Sequence, residues 1–169
     1  MATGHYVEFP EIRLLAEMAD LEFQGNEHNV LAFTKGKHPF VIRLTKLDMF
    51  GLPGRTPAEY LQRWRLSNAA FPDAAVSFLA YTRNSRGNGV ILTSQPYLEG
   101  IKKSQKAIDR AFDLLGFQSV PGEPTSYLNP HTEVEIHDAK PDNVLFDPQG
   151  NMLPFDVWIN DPTDTFGLR

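Results

Sequence analysis

The residues whose types and spacing could support chemistry lie close together in the last third of the sequence. Asp138, Lys140 and Asn143 fall within one stretch of six residues, and Asp156 follows thirteen residues after Asn143. Carboxylate and amide oxygens are ligands for Mg²⁺, and a lysine ammonium group can bind phosphate oxygens. A carboxylate beside an alcohol can orient it or accept its proton. These side chains therefore match what phosphoryl transfer requires of a protein, namely positioning, metal ligands and positive charge.

The segments between these residues predict how they meet. Residues 144–146 and 152–155 have the apolar composition of short strands, and residues 147–150 have the composition of a turn. Antiparallel pairing of the two strands would return Asp156 to the end of the hairpin at which Asn143 lies. A lone Asp-x₄-Asn pattern would be no more than a turn with Asx hydrogen bonds, but the longer pattern favours a chemical role.

Residues 136–147 resemble the catalytic loop of the protein-kinase superfamily, H-R-D-L-K-P-x-N followed by a short apolar strand. Asp138 and Asn143 stand at the aspartate and asparagine with the spacing that the motif requires, and Lys140 stands at its lysine. Asp156 takes the place of the D-F-G aspartate. The resemblance implies an ATP- and Mg²⁺-dependent transfer to a hydroxyl group. Asp138 would orient or deprotonate the hydroxyl, Asn143 and Asp156 would hold Mg²⁺, and Lys140 would face the phosphates.

The resemblance also implies a nucleotide site built from earlier residues. Residues 95–100 follow an apolar strand and precede a helix, as a kinase hinge does, so groups at Gln95 and Tyr97 would bind the adenine edge. Gly25 is the single glycine where the kinase loop over the phosphates has three. Arg43 stands where the V-A-I-K motif has its lysine, and would face the phosphates.

Several positions depart from the kinase pattern. Arginine at Arg43 is not equivalent to lysine, because its planar fork is bulkier. Glu59 is the available acid for an ion pair with Arg43, but a capping box with Thr56 also explains it. His137 replaces the arginine of the loop, and we expect a buried or hydrogen-bonded histidine there. Thirteen residues follow Asp156 in this sequence, which predicts a truncated C-lobe without an activation loop.

The similarity is greatest to the kinase-like domain found in polyvalent proteins of bacterial phages and conjugative elements. It covers roughly residues 12–160 and includes Tyr60-Leu61, residues 68–73, residues 94–100 and the loop at Asp138.

Local patterns predict the elements that position these residues. Strands are expected at 29–35, 40–45, 76–81, 90–94, 134–137, 144–146 and 152–155, and helices at 56–71 and 102–115. Residues 12–20 fit either a strand or a short helix. The order of elements lacks the regular alternation of a parallel sheet and therefore predicts an α+β fold.

The composition of the chain excludes several classes of protein and several kinds of site. The 169 residues carry a formal charge of −5 and include no cysteine, which excludes a disulfide framework, a thiolate metal site and a cysteine nucleophile. The mild acidity argues against a nucleic-acid partner, and no segment resembles a membrane span or a secretory signal. We expect a cytoplasmic protein.

The combined expectation is a minimal two-lobed protein-kinase-like fold with a truncated C-lobe. The N-lobe would comprise residues 1–95, and residues 96–169 would hold the hinge, the catalytic loop and the metal-binding hairpin. Two alternatives remain. One is a pseudokinase that binds a nucleotide or a partner without catalysis, and the other is a small-molecule kinase. The acceptor, a protein or a small molecule, stays unknown.

Overall fold

The structure is a computed structural model that describes residues 9–25, 28–50 and 56–163. The chain divides into two compact units. The first comprises Met1–Leu61 and Val76–Tyr97, and the second comprises Gln62–Ala75 and Leu98–Arg169. Three α-helices and eleven strands lie in the described part. They are the helices α1 (Pro10–Met18), α2 (Pro57–Ala70) and α3 (Gln105–Leu114), and the strands β1 (Leu21–Gln24), β2 (His28–Phe33), β3 (Phe40–Thr45), β4 (Ser77–Arg83), β5 (Gly89–Pro96), β6 (Gln118–Val120), β7 (Glu123–Leu128), β8 (Glu135–His137), β9 (Val144–Phe146), β10 (Met152–Pro154) and β11 (Trp158–Asn160).

The first unit is built on an antiparallel sheet of five strands in the order β1-β2-β3-β5-β4. Alternate residues of β2, β3 and β5 point to one face, where Ile12 of α1 packs on them. Burial of this apolar face anchors α1, since each fully buried aliphatic side chain contributes about 1.5–3 kcal/mol. The opposite face carries Arg43, which pairs with Val30 on one side and with Thr93 on the other.

Helix α2 begins at the capping box that the sequence predicted. The backbone N–H of Thr56 donates to Glu59 Oε2 at 2.7 Å, and the N–H of Glu59 donates to Thr56 Oγ1 at 3.3 Å. Pro57 occupies the first helical position, where its missing N–H costs nothing. The helix ends at Ala70, and Pro72 opens a short 3₁₀ turn.

The second unit contains α3, a four-stranded antiparallel sheet in the order β11-β8-β7-β6, and the β9–β10 hairpin. One apolar cluster joins them, with Ile108 and Phe112 from α3 packed on Tyr127, Ile136 and Val144. Gly116 ends the helical segment with a φ of 83°, which a residue with a Cβ adopts only at a cost.

The α+β class is confirmed, and several elements differ from the sequence prediction. β3 and β9 have the predicted bounds, whereas α3 begins at Gln105 and not at Lys102. The segment 12–20, for which the sequence left strand and helix open, is helical as far as Met18, the last residue of α1. Four strands were not predicted, namely β1, β6, β7 and β11. All four residues of β1 are exposed, so its sequence carries no burial pattern. The β6–β7 hairpin lies in a Pro/Gly-rich stretch that suggested only loops.

No helix in the described ranges is long and apolar enough to cross a membrane.

Candidate active site

The backbone takes an unusual conformation at Asp138, directly after β8. Asp138 has a φ of 58°, in the left-handed region that most residues with a Cβ avoid. Aspartate and asparagine are the side chains that tolerate this region best. The next residue, Ala139, is fully buried and donates its N–H to Thr125 O at 3.0 Å. The backbone of the loop is therefore fixed on β7 immediately after Asp138.

The structure brings Asp138, Lys140 and Asn143 together in one hydrogen-bonded cluster. Lys140 Nζ donates to both carboxylate oxygens of Asp138, at 2.8 and 3.0 Å. The side-chain amide of Asn143 donates to Asp138 Oδ2 at 2.7 Å and to the backbone oxygen of Asp138 at 2.9 Å. The carboxylate of Asp138 is thus held from two sides. Because Asn143 Nδ2 makes both donor contacts, its Oδ1 is the atom suited to ligate a cation.

The surroundings of Lys140 change the pKa of its ammonium group. Its hydrogen bond with Asp138 raises the pKa of the ammonium group. Partial burial works in the opposite direction, and the negative charges of Asp138, Asp156 and Asp142 add to the increase. Lys140 therefore keeps its positive charge at any pH at which the protein would work, and it can stabilise a phosphate beside Asp138.

The β9–β10 hairpin brings Asp156 back towards Asn143, as the sequence predicted. Val144 at the start of β9 pairs with Pro154 at the end of β10. The N–H of Phe155 then donates to Asn143 O at 3.0 Å. Asp156 follows directly, and its negative charge contributes to the raised pKa of Lys140. The four predicted residues of the second unit thus form one neighbourhood.

Asp156 forms an ion pair that the sequence analysis missed. Arg63 of α2 donates from Nη2 to Asp156 Oδ1 at 2.8 Å. The side chain of Arg63 is 2% exposed, whereas that of Asp156 is 30% exposed. A buried arginine needs a partner, but nothing in the linear sequence shows that Arg63 is the buried arginine of α2.

A second group of residues supports the loop from behind. Gln105 at the start of α3 donates from Nε2 to Ala139 O at 3.0 Å and to the Tyr127 hydroxyl at 2.8 Å. The Tyr127 hydroxyl donates to Asp109 Oδ1 at 2.7 Å. Burial raises the pKa of Tyr127, and its hydrogen bond to Asp109 raises it further. This network ties the backbone of the Asp138 loop to α3 and β7, and no motif pointed to it.

The predicted nucleotide residues lie in the first unit. Arg43 Nη2 donates to Gln95 Oε1 at 2.8 Å, and both side chains are buried. The N–H of Tyr97 donates to Pro39 O at 3.0 Å. At Gly25 a Cβ would lie 2.9 Å from His28 O, so the chain there requires glycine. The role of these four residues towards a nucleotide stays a prediction, because no ligand contact tests it.

His137 is hydrogen bonded, as expected. Its Nδ1 lies 3.0 Å from Ser126 Oγ, and its Nε2 lies 3.2 Å from Glu135 Oε2. These contacts fix the ring on β8, an interior strand of the four-stranded sheet. The carboxylate of Glu59 accepts the capping-box hydrogen bond that the sequence predicted. Its ion pair with Arg43 stays a prediction.

The donor set suits Mg²⁺ brought in with phosphates. Asn143 supplies an amide oxygen and Asp156 a carboxylate, and both are hard oxygen ligands. Within the described part of the chain, no group of three or more His, Cys, Asp and Glu side chains could hold a metal ion alone. Mg²⁺ commonly uses one or two protein carboxylates and completes its shell with water and substrate phosphates. The residues present therefore fit this ion.

The class of protein follows from a comparison with known families. A family model described as a serine/threonine/tyrosine kinase found in polyvalent proteins matches residues 6–160, which include both the Asp138 loop and Arg63. The chain belongs to this family. Membership supports a kinase-like role in phosphoryl transfer. No curated protein and no solved structure was found to match the chain.

Proposed function

We propose that the protein transfers the γ-phosphoryl group of ATP to a hydroxyl group, with Mg²⁺ as the metal. The observation that carries this proposal is the Asp138–Lys140–Asn143 cluster, closed by hydrogen bonds of 2.7 to 3.0 Å. It supplies a fixed carboxylate, a cation and an amide oxygen at one place. These are the groups that a loose phosphoryl-transfer transition state requires.

In this proposal Asp138 binds the acceptor. The hydroxyl oxygen forms a bond to the γ-phosphorus, the bond from that phosphorus to the ADP oxygen breaks, and the hydroxyl proton passes to the Asp138 carboxylate. Lys140 and Asn143 hold the carboxylate in one orientation, which avoids the entropy cost of fixing it during the reaction. The ammonium of Lys140 also stabilises negative charge on the phosphoryl oxygens.

Asn143 and Asp156 would hold Mg²⁺, which would neutralise negative charge at the phosphates. The hairpin supports this assignment, because the N–H of Phe155 bonds to Asn143 O and so fixes the two ligands at one end of β9 and β10. The first unit would supply the nucleotide contacts, with Arg43, Gln95, Tyr97 and Gly25 as the candidates. In this reading the two units are the lobes of a kinase-like fold. A protein and a small molecule both remain possible acceptors.

The Asp138→Asn variant tests the proposal in an assay of ATP hydrolysis, in which water takes the place of the unknown acceptor. Asparagine tolerates the left-handed backbone at this position, so the variant should fold. We expect Mg²⁺-dependent formation of ADP from ATP to fall at least a hundredfold, because general base and orienting effects typically contribute about 10²–10⁴-fold. Asp113→Asn, an exposed carboxylate of α3, is the matched control and should leave the rate unchanged. Wild-type rates in a folded Asp138→Asn protein would contradict the assignment.

A second candidate is a pseudokinase that binds nucleotide without catalysis. It is favoured by Arg43, whose guanidinium stands in place of the kinase lysine and bonds to the buried Gln95. The shift of the thermal unfolding curve during a titration with Mg-ATP separates the kinase and the nucleotide-binding pseudokinase from a module that binds only a partner. A ligand at a hundred times its Kd stabilises by about 2.7 kcal/mol. Such a stabilisation without any ADP formation by the wild type would identify the pseudokinase.

A further inference from the structure

The carboxylate proposed to bind Mg²⁺ already has a buried cation beside it. Arg63 Nη2 lies 2.8 Å from Asp156 Oδ1, and only 2% of the Arg63 side chain is exposed. The ion pair joins α2 to the residue that follows the β9–β10 hairpin. A divalent cation at Asp156 would thus meet a carboxylate whose charge is already partly balanced.

Arg63 is fixed in this place by further contacts. Its Nε donates to Val157 O at 3.3 Å. Its Cζ lies 4.0 Å from the ring centroid of Trp158 and 4.7 Å from that of Trp64. A guanidinium group cannot lose its proton in a protein. The positive charge beside Asp156 is therefore permanent, and the side chain has little room to withdraw from it.

We propose that Arg63 is a positioning residue that holds the Asp156 carboxylate and competes with a divalent cation for it. The competition lowers metal affinity, because like charges repel and because the affinity of a cation site depends on the net charge of its ligands. Arg63 thereby sets how tightly the metal binds, while it keeps Asp156 in one orientation. This inference rests on the proposed metal role of Asp156.

The competition between Arg63 and a cation is tested directly by measuring Mn²⁺ binding without nucleotide by electron paramagnetic resonance. We expect Arg63→Met to bind Mn²⁺ about tenfold more tightly than the wild type, which corresponds to about 1.4 kcal/mol. Arg63→Lys keeps the charge and should retain the wild-type Kd. Arg13→Met removes an arginine from an exposed ion pair on α1 and serves as the matched control, with no expected change.

Tryptophan fluorescence supplies a second measurement that needs no substitution of Arg63. The chain has two tryptophans, and both rings lie against this guanidinium. A cation that binds to Asp156 changes the charge beside Trp158. We expect Mg²⁺ to change the emission of the wild type in a saturable way and to leave the emission of Asp156→Asn unchanged. No change in the wild type would overturn the proposal, even if Arg63→Met fails to fold.

The outcomes separate this inference from the proposed function. An unchanged or weaker Mn²⁺ affinity in folded Arg63→Met, or Mn²⁺ binding by neither protein, overturns the role of Arg63 and leaves phosphoryl transfer to be judged by ADP formation. Tighter Mn²⁺ binding in Arg63→Met supports the role of Arg63 even if the wild type forms no ADP, in which case the proposed function alone fails.

Discussion

The backbone at Asp138 has a φ of 58°, and its carboxylate accepts hydrogen bonds from both Lys140 and Asn143. A residue with a Cβ in the left-handed region typically costs roughly 1–2 kcal/mol, and such positions concentrate at functional sites. The hydrogen bonds to Lys140 and Asn143 help to maintain this conformation. One residue thus combines a strained backbone with a fixed, half-exposed carboxylate, which is the combination expected of a group that contacts a substrate.

Asp20, in the first unit, lends itself to a prediction about pH. Its carboxylate lies 2.7 Å from Lys35 Nζ and accepts hydrogen bonds from the N–H groups of Thr34 and Lys35, at 2.8 and 3.0 Å. The hydrogen bond from the Lys35 side chain is the largest of several contacts that together lower the pKa of Asp20 from 3.8 to about 2. These contacts hold the turn between β2 and β3, next to the strand that carries Arg43.

A carboxylate with a lowered pKa stabilises the folded state above its ordinary pKa and loses that contribution as the pH falls through the folded value. We therefore expect the difference in free energy of unfolding between the wild type and Asp20→Asn to be constant above about pH 5 and to shrink between about pH 4 and pH 2. Urea unfolding at a series of pH values measures it. A difference that does not change down to pH 2 would show that Asp20 makes no charge-dependent contact.

Among the elements, α3 and β7 hold the Asp138 loop through Tyr127 and Gln105. Tyr127→Phe keeps the ring, which stacks on Phe112 with 4.3 Å between centroids, and removes only the hydroxyl. That hydroxyl bonds to Asp109 and Gln105 in a buried place, so its loss should cost about 1–2 kcal/mol. We also expect faster hydrogen exchange at the N–H of Ala139, because Gln105 bonds to both Tyr127 and the oxygen of Ala139.

Denaturant unfolding and amide exchange measure the two effects of Tyr127→Phe. Tyr81→Phe, which removes a hydroxyl from an exposed strand residue of the first unit, is the matched control. Equal stability and equal exchange in the two variants would show that the network does not support the loop.

The same elements show what could be predicted from the sequence. The capping box at Thr56 and the β9–β10 hairpin rest on local rules, and both are confirmed by the structure. The β6–β7 hairpin was missed because Pro and Gly indicate turns without showing that strands flank them. There Gly122, with a φ of 84°, forms the tight turn itself. Local residue types, in short, predict local contacts well.

Long-range contacts could not be predicted in the same way. Arg63 and Asp156 lie 93 residues apart, and Gln105 and Ala139 lie 34 residues apart. Their proximity depends on how α2, α3 and the strands of the second unit pack, which no periodicity in the sequence specifies. The motif therefore predicted the groups that would act on a substrate, whereas the residues that hold those groups became visible only in the fold.

At the scale of the whole molecule, the chain belongs to a kinase family and places Asp138, Lys140, Asn143 and Asp156 in one neighbourhood of its second unit. We propose that this neighbourhood is a metal–nucleotide site. Both phosphoryl transfer and the proposed effect of Arg63 on metal affinity depend on this site.

A crystal structure of the full chain with Mn²⁺ and a non-hydrolysable ATP analogue tests it most directly, since Mn²⁺ can be located by anomalous scattering. We predict a Mn²⁺ ion coordinated by both Asn143 and Asp156, with the terminal phosphate of the analogue in contact with Lys140. A bound analogue whose Mn²⁺ lies away from Asn143 and Asp156 would show that these residues do not form the metal site.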